Sequence, residues 1–166
     1  YRNILVLAQA GENSCVHVLD GTRPEYSNGE WDLIREVGPY SELEHVLTEE
    51  TPHTPPTVAF GPEPDRGWCY YYQKADLARQ RGAWDQVLEI GDQAFDQGLE
   101  PRDLIEWMPF LQAYAVSGDT VRLAELAPVI GADPYIAGQA CQILGAMPSL
   151  SSPVKEVVTA HYCVGQ

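Results

Sequence analysis

The chain has 166 residues, 45% of them hydrophobic, and a formal net charge of −14. That length suits one domain or a domain with a subdomain, and the apolar content suffices for a buried core. The charge excludes the basic footprint that nucleic-acid binding needs and argues against docking on anionic lipid. No apolar run reaches the roughly 18 residues of a membrane span. The chain opens on Tyr1 rather than Met. It therefore reads as a fragment or processed product, with any targeting segment or anchor upstream.

Two strand-like runs come first, Asn3 to Ala8 and Cys15 to Leu19, separated by turn formers from Gln9 to Ser14. They can pair as a hairpin or in parallel. Asp20-Gly21 closes the second as a turn. Thr22 to Glu30 is polar and turn-rich. Trp31, Ile34 and Val37 share one face of a short helix that Gly38-Pro39 stops, and Ser41 to Leu47 is a second short helical or extended run. Thr51 to Pro64 carries five prolines and reads as a semi-rigid linker.

The helices after the linker are clearer. Trp68 to Arg81 predicts the first and Trp84 to Gln97 the second. Asp103 caps the third, with Glu106 completing a capping box, although Pro109 falls inside its first turns. Asp119 or Thr120 caps the fourth. Asp133-Pro134 opens the fifth, and Ser152-Pro153 opens the sixth, which runs to about Cys163. The result is a small α/β N-terminal subdomain over 1–50, a Pro-rich linker over 51–67, and about three helix pairs over 68–166.

The pairs repeat. Trp107-x2-Phe110-Leu111-x2-Tyr114, then Gly118, then Leu123-x3-Ala127 follow Tyr71-x2-Lys74-Ala75-x2-Ala78, Gly82, then Val87-x3-Gly91-x2-Ala94 at a separation of 36 residues. Tyr71, Ala75 and Ala78 share one helical face, where small side chains let a second helix approach. Gly82 and Gly118 stand where a helix must stop and turn. Gly145 stands 27 residues after Gly118 and marks a short, degenerate third unit or a cap, with Gly138 at the close-packing position and Cys141 at the tyrosine position. This pattern resembles the tetratricopeptide repeat, whose period is about 34 residues. Two and a half units fall near the minimum for a stable stack, so the N-terminal piece is expected to cover the first. Plain helical hairpins are the competing architecture.

Signatures of catalysis are missing. Neither GxGxxG nor GxxxxGK[ST] occurs, and no Asp-x-Asp-x-Asp-Gly calcium loop. His17, His45, His53 and His161 are scattered. Cys15 and His17 would share a strand face, but a nucleophile pair also needs an orienting group and an oxyanion site. Asp85, Glu89, Asp92 and Asp96 fit a solvated helix face better than paired catalytic carboxylates. Cys15, Cys69, Cys141 and Cys163 lack CxxC spacing, which disfavours zinc. In an oxidising compartment Cys141 and Cys163 can join the helices of the last unit, and Cys15 and Cys69 can join the N-terminal part to the first; buried free thiols are the alternative. Trp68, Tyr70, Tyr71 and Tyr72 cannot all point inward, so some meet either the N-terminal piece or a partner. No cofactor and no metal are expected.

From Gly67 to Gly82, around Glu106 to Leu111, and including Cys15 to Gly21, the chain is similar to the soluble C-terminal region of uncharacterised polytopic bacterial membrane proteins, some of them glycosyltransferase-like. That resemblance implies an upstream membrane part and an extracytoplasmic location. The tetratricopeptide likeness implies a groove lined by the first helix of each pair: Cys69, Tyr72, Asp76 and Arg79, then Ile105, Met108, Gln112 and Ala115. Of these, Tyr72, Asp76, Arg79, Met108 and Gln112 are the expected contacts for a protein or peptide segment, or for the parent's own membrane-embedded part. The expected function is non-enzymatic protein binding. An acceptor-recognition domain of a membrane glycosyltransferase, or a structural subunit of a surface assembly, is the alternative.

Overall fold

A computed structural model describes residues 3–23, 25–46, 54–63 and 65–164. The chain is mainly helical with one small two-stranded sheet. Strands β1 (Leu7–Ala8) and β2 (His17–Val18) pair antiparallel, Leu7 against Val18 and Ala8 against His17. The pairing is shorter than the two predicted runs. Helix α1 (Asp32–Val37) follows, ending in a 3-10 turn over Gly38–Tyr40. Its orientation corrects one expectation. Trp31 precedes the helix and is 70% exposed, while Ile34 and Val37 pack with Val6, Ala8 and Leu19 in a small cluster. A 3-10 turn occupies Leu43–His45. Leu47, His53, Pro52 and Pro64 lie outside the described residues, as does the side chain of His45. Within the Pro-rich stretch, α2 (Thr57–Phe60) forms one helical turn rather than an extended strut.

Six longer helices then make three antiparallel pairs: α3 (Trp68–Gln80) with α4 (Trp84–Phe95), α5 (Met108–Ser117) with α6 (Thr120–Ile130), and α7 (Pro134–Ala146) with α8 (Ser152–His161). Their ends follow local chemistry. Gly82 and Gly118 take φ of +68° and +82°, which a Cβ would resist. The Asp119 carboxylate accepts from the Arg122 N–H, and Asp133 accepts from Tyr135 and Ile136. Pro109 does not break a helix. It sits at the start of α5, where a missing N–H costs nothing, after a 3-10 turn over Leu104–Trp107.

The first helices of the pairs stand side by side, α3 against α5 and α5 against α7. Each second helix packs on the next first helix, α4 on α5 and α6 on α7. One core runs through all three pairs, from Tyr71, Ala75 and Ala78 through Phe110, Leu111 and Leu123 to Ile136, Leu144 and Val158. Gly91 lets α4 reach α5, since a Cβ there would lie 2.9 Å from the Phe110 ring. The third pair has full-length helices, so the short spacing at Gly145 did not signal a truncated unit. Disulfides join Cys15 to Cys69 and Cys141 to Cys163. Among the described residues, no helix is long and apolar enough to cross a membrane.

Candidate functional site

The face formed by α3, α5 and α7 is filled by residues 14–30 of the same chain. This segment is non-helical in its described part. It is held mainly by polar side chains that reach its backbone and its own polar side chains.

At one end stands Glu106, fully buried in the 3-10 turn before α5. The Cys15 N–H donates to its Oε1 at 2.7 Å, and the Trp68 Nε1–H donates to its Oε2 at 2.6 Å. The His17 Nε2 lies 3.3 Å from the same Oε1. Glu106 therefore does not close a capping box with Asp103, as its spacing predicts. Its carboxylate turns inward because two buried N–H groups need an acceptor there. Asp103 caps Ile105 through Oδ1 and accepts the Ser14 and Ser27 hydroxyls through Oδ2. The Cys15–Cys69 disulfide anchors this end covalently, and Gln73 donates to the Val16 carbonyl at 3.3 Å.

The centre is ionic. Arg79 of α3 meets Glu25 at 2.9 Å and Asp76 at 2.6 Å, and Gln112 of α5 lies between Glu25 and Arg23. Burial pushes the Glu25 carboxyl above its usual range, against the pull of Arg79. Burial works to lower Arg79, but Glu25 and Asp76 outweigh it and keep the guanidinium charged. Tyr72 lies edge-on to His17, with ring centroids 5.3 Å apart, and burial raises its phenol well above normal. At the far end, Gln139 of α7 pairs with both backbone groups of Tyr26, accepting at 2.9 Å and donating at 2.8 Å. Asn28 donates to Asp133, and Arg35 lies over the Tyr135 ring at 4.7 Å.

This placement corrects the expectation of an open groove. Tyr72, Asp76 and Gln112 are buried, and Arg79 keeps only 10% of its side-chain exposure. Their faces are spent on residues 14–30: Tyr72 meets the His17 ring, Arg79 meets Glu25, and Gln112 lies between Glu25 and Arg23. Met108 is 0% exposed and belongs to the helix core, so it does not face the groove at all. Glu25, Glu106 and Gln139 complete the site, and sequence reasoning missed all three in this role. Only Glu106 carried a signal: it is the one charged residue between Leu104 and Leu111, in an otherwise apolar run.

Comparison with protein-family models, with curated proteins and with solved structures found no match to the chain. The geometry must therefore speak for itself. His17, Asp103 and Glu106 bring one ligand atom each to within 4.8 Å of one another, a set that could ligate a cation. The facing oxygens already accept protein donors, so a cation there would displace Ser14, Ser27 or Cys15. Ser14 and Glu106 both meet the Nε2 of His17. A nucleophile relay needs its acid on the opposite ring nitrogen, and the Ser14 hydroxyl is instead given to Asp103. The cluster is built to hold a chain in place. Clefts also lie outside the groove. One of about 820 Å³ is lined by Tyr70, Gln73, Leu99 and Arg102, and one of about 330 Å³ by Phe95, Trp107, Leu126 and Val129.

Proposed function

We propose that the chain is a non-catalytic, tetratricopeptide-like interaction domain on the extracytoplasmic side of a bacterial membrane protein. One observation carries this reading. The α3–α5–α7 face recognises a non-helical segment through its backbone, at the Cys15 N–H, the Val16 carbonyl and both polar groups of Tyr26. Backbone contacts along a row of helices let a groove hold a non-helical peptide, and side-chain contacts then set which one. The side-by-side first helices and the matched positive-φ glycines support the repeat assignment. Two disulfides support an oxidising compartment. Against the glycosyltransferase alternative, the larger cleft offers only one open aromatic, and Lys74 and Arg66 already lie over the Tyr70 ring.

Photo-crosslinking in the parent protein tests the reading, with a photoreactive residue placed in turn at positions 70, 99, 121 and 135. Adducts with one protein, or with one region of the parent, from neighbouring positions are expected. Scattered adducts at every position, or glycosyl transfer by the chain alone, would overturn it.

A further inference from the structure

The way residues 14–30 are seated has a functional consequence. Of all the described residues before the linker, only Cys15 belongs to the core that runs through the helix pairs. The other buried apolar residues of this region, Val6, Ala8 and Leu19, close on themselves with Ile34 and Val37. The segment therefore adds little apolar cover to the helix core: Cys15 enters it, and the His17 ring lies edge-on against Tyr72. What joins the two is a set of hydrogen bonds and ion pairs on Glu106, Asp103, Arg79, Gln112 and Gln139. An apolar seat can be vacated only by exposing core. A polar seat can be handed to another chain that offers the same groups, because water or the newcomer replaces each bond.

We propose that residues 14–30 are an exchangeable internal ligand, and that the groove binds a non-helical acidic peptide from another protein once the Cys15–Cys69 disulfide is opened. This rests on the peptide-groove reading above. The internal segment defines the occupant: a carboxylate at the place of Glu25, facing Arg79, Gln112 and Arg23, with hydroxyl side chains at the places of Ser14 and Ser27, facing Asp103. A basic residue at the Glu25 position would face Arg79 and be rejected. While the disulfide is closed, the segment competes as an intramolecular partner at high effective concentration.

The opening chemistry balances with an external dithiol reductant. Its thiolate attacks the sulfur of Cys69, which sits at the surface, whereas Cys15 is 1% exposed. The S–S bond breaks, and the Cys15 thiolate leaves and takes a proton. The second thiol of the reductant then displaces Cys69 as a thiol, and the reductant ends as a disulfide.

The test uses the full chain in two forms, the oxidised wild type and the Cys15→Ser/Cys69→Ser double variant. The probe is a fluorescent synthetic peptide of residues 14–30 with Cys15→Ser, followed by anisotropy. The double variant should bind at least tenfold more tightly than the oxidised wild type. Glu25→Lys in the peptide should abolish binding. Equal binding by both forms, or none by a double variant that keeps its helical circular dichroism, overturns the proposal. Hydrogen exchange on the wild type, with and without dithiol, provides the second measurement should the double variant lose its fold. Residues 14–30 should gain exchange while α3 to α6 stay protected; loss of protection in both together overturns it. Crosslinks from positions 70 and 121 would survive that failure, so this proposal and the interaction-domain reading fail separately.

Discussion

Replacing Glu106 with glutamine changes one oxygen to an NH2 and almost nothing in volume. The two carboxylate oxygens now serve the Cys15 N–H and the Trp68 Nε1–H at 2.7 and 2.6 Å. An amide has one acceptor oxygen, so whichever way it turns, one buried N–H faces another donor. An unpaired buried donor costs about 1–3 kcal/mol, and the remaining bond loses its charge assistance, so the total is about 2–4 kcal/mol. Trp68→Phe removes the donor from Oε2 and costs about 1–3 kcal/mol by the same argument. The double variant should then be less damaged than the sum by about 1 kcal/mol or more, because the amide oxygen can keep the Cys15 N–H while the NH2 no longer meets the indole N–H. Urea denaturation with both disulfides intact, followed by circular dichroism and tryptophan fluorescence, measures all four corners. A Glu106→Gln variant within about 0.5 kcal/mol of wild type, the range of an ordinary surface change, would refute the claim that Glu106 organises this end of the groove.

Other outcomes follow from the same coordinates. Gly118→Ala should lose about 1–2 kcal/mol in the same assay, since its φ of +82° is left-handed. Gly91→Ala should lose about 1–3 kcal/mol, because the new Cβ meets the Phe110 ring at 2.9 Å. Removing Cys15–Cys69 as a serine pair should lower unfolding stability by about 4 kcal/mol, and removing Cys141–Cys163 by about 3 kcal/mol; loop entropy sets the order, with separations of 54 and 22 residues. Glu25 is surrounded by Arg79, Asp76, Arg23 and Asp20, and its folded pKa is raised above 4.5 by burial. Its favourable contribution is therefore fully present below the unfolded value and is lost as pH rises through the folded one. The stability of wild type relative to Glu25→Gln should fall as pH rises above 4.5 and then level off; a flat or rising difference sinks the assignment.

The parts of this fold that read directly from sequence are those decided within one turn of helix. Asp119 and Asp133 cap helices because their acceptors sit two or three residues from the N–H groups they serve. Gly82 and Gly118 mark turns because a backbone angle demands it locally. Ala75 and Ala78 announce a close helix contact by size alone. The groove is different in kind. Glu106 has the spacing of a capping box, but its partners, Cys15 and Trp68, are 91 and 38 residues away. Glu25 lies in a polar run that reads as an ordinary loop, and nothing nearby announces that Arg79 awaits it 54 residues on. Met108 shows the converse error. Its place in the repeat aligns it with groove positions, yet Met108, the first residue of α5 after the 3-10 turn, packs into the core.

These long-range pairs also explain why the groove is polar at all. Among the described residues, the N-terminal piece adds only Cys15 to the continuous core of the three helix pairs, so the inner face is free to carry Arg79, Gln112, Gln139, Asp103 and Glu106. Covering such a face with an apolar strand would strand each of those groups without a partner, at a cost of about 1–3 kcal/mol apiece. Leaving it bare would let water satisfy them at little net cost. A polar segment therefore gains only a modest margin over water at each contact, and that margin alone would not keep it seated against competitors. The covalent bond at Cys15 supplies the rest. On the exchange proposed above, the disulfide commits the groove to this segment, and the control of occupancy lies at Cys69 rather than at the residues that make the contacts.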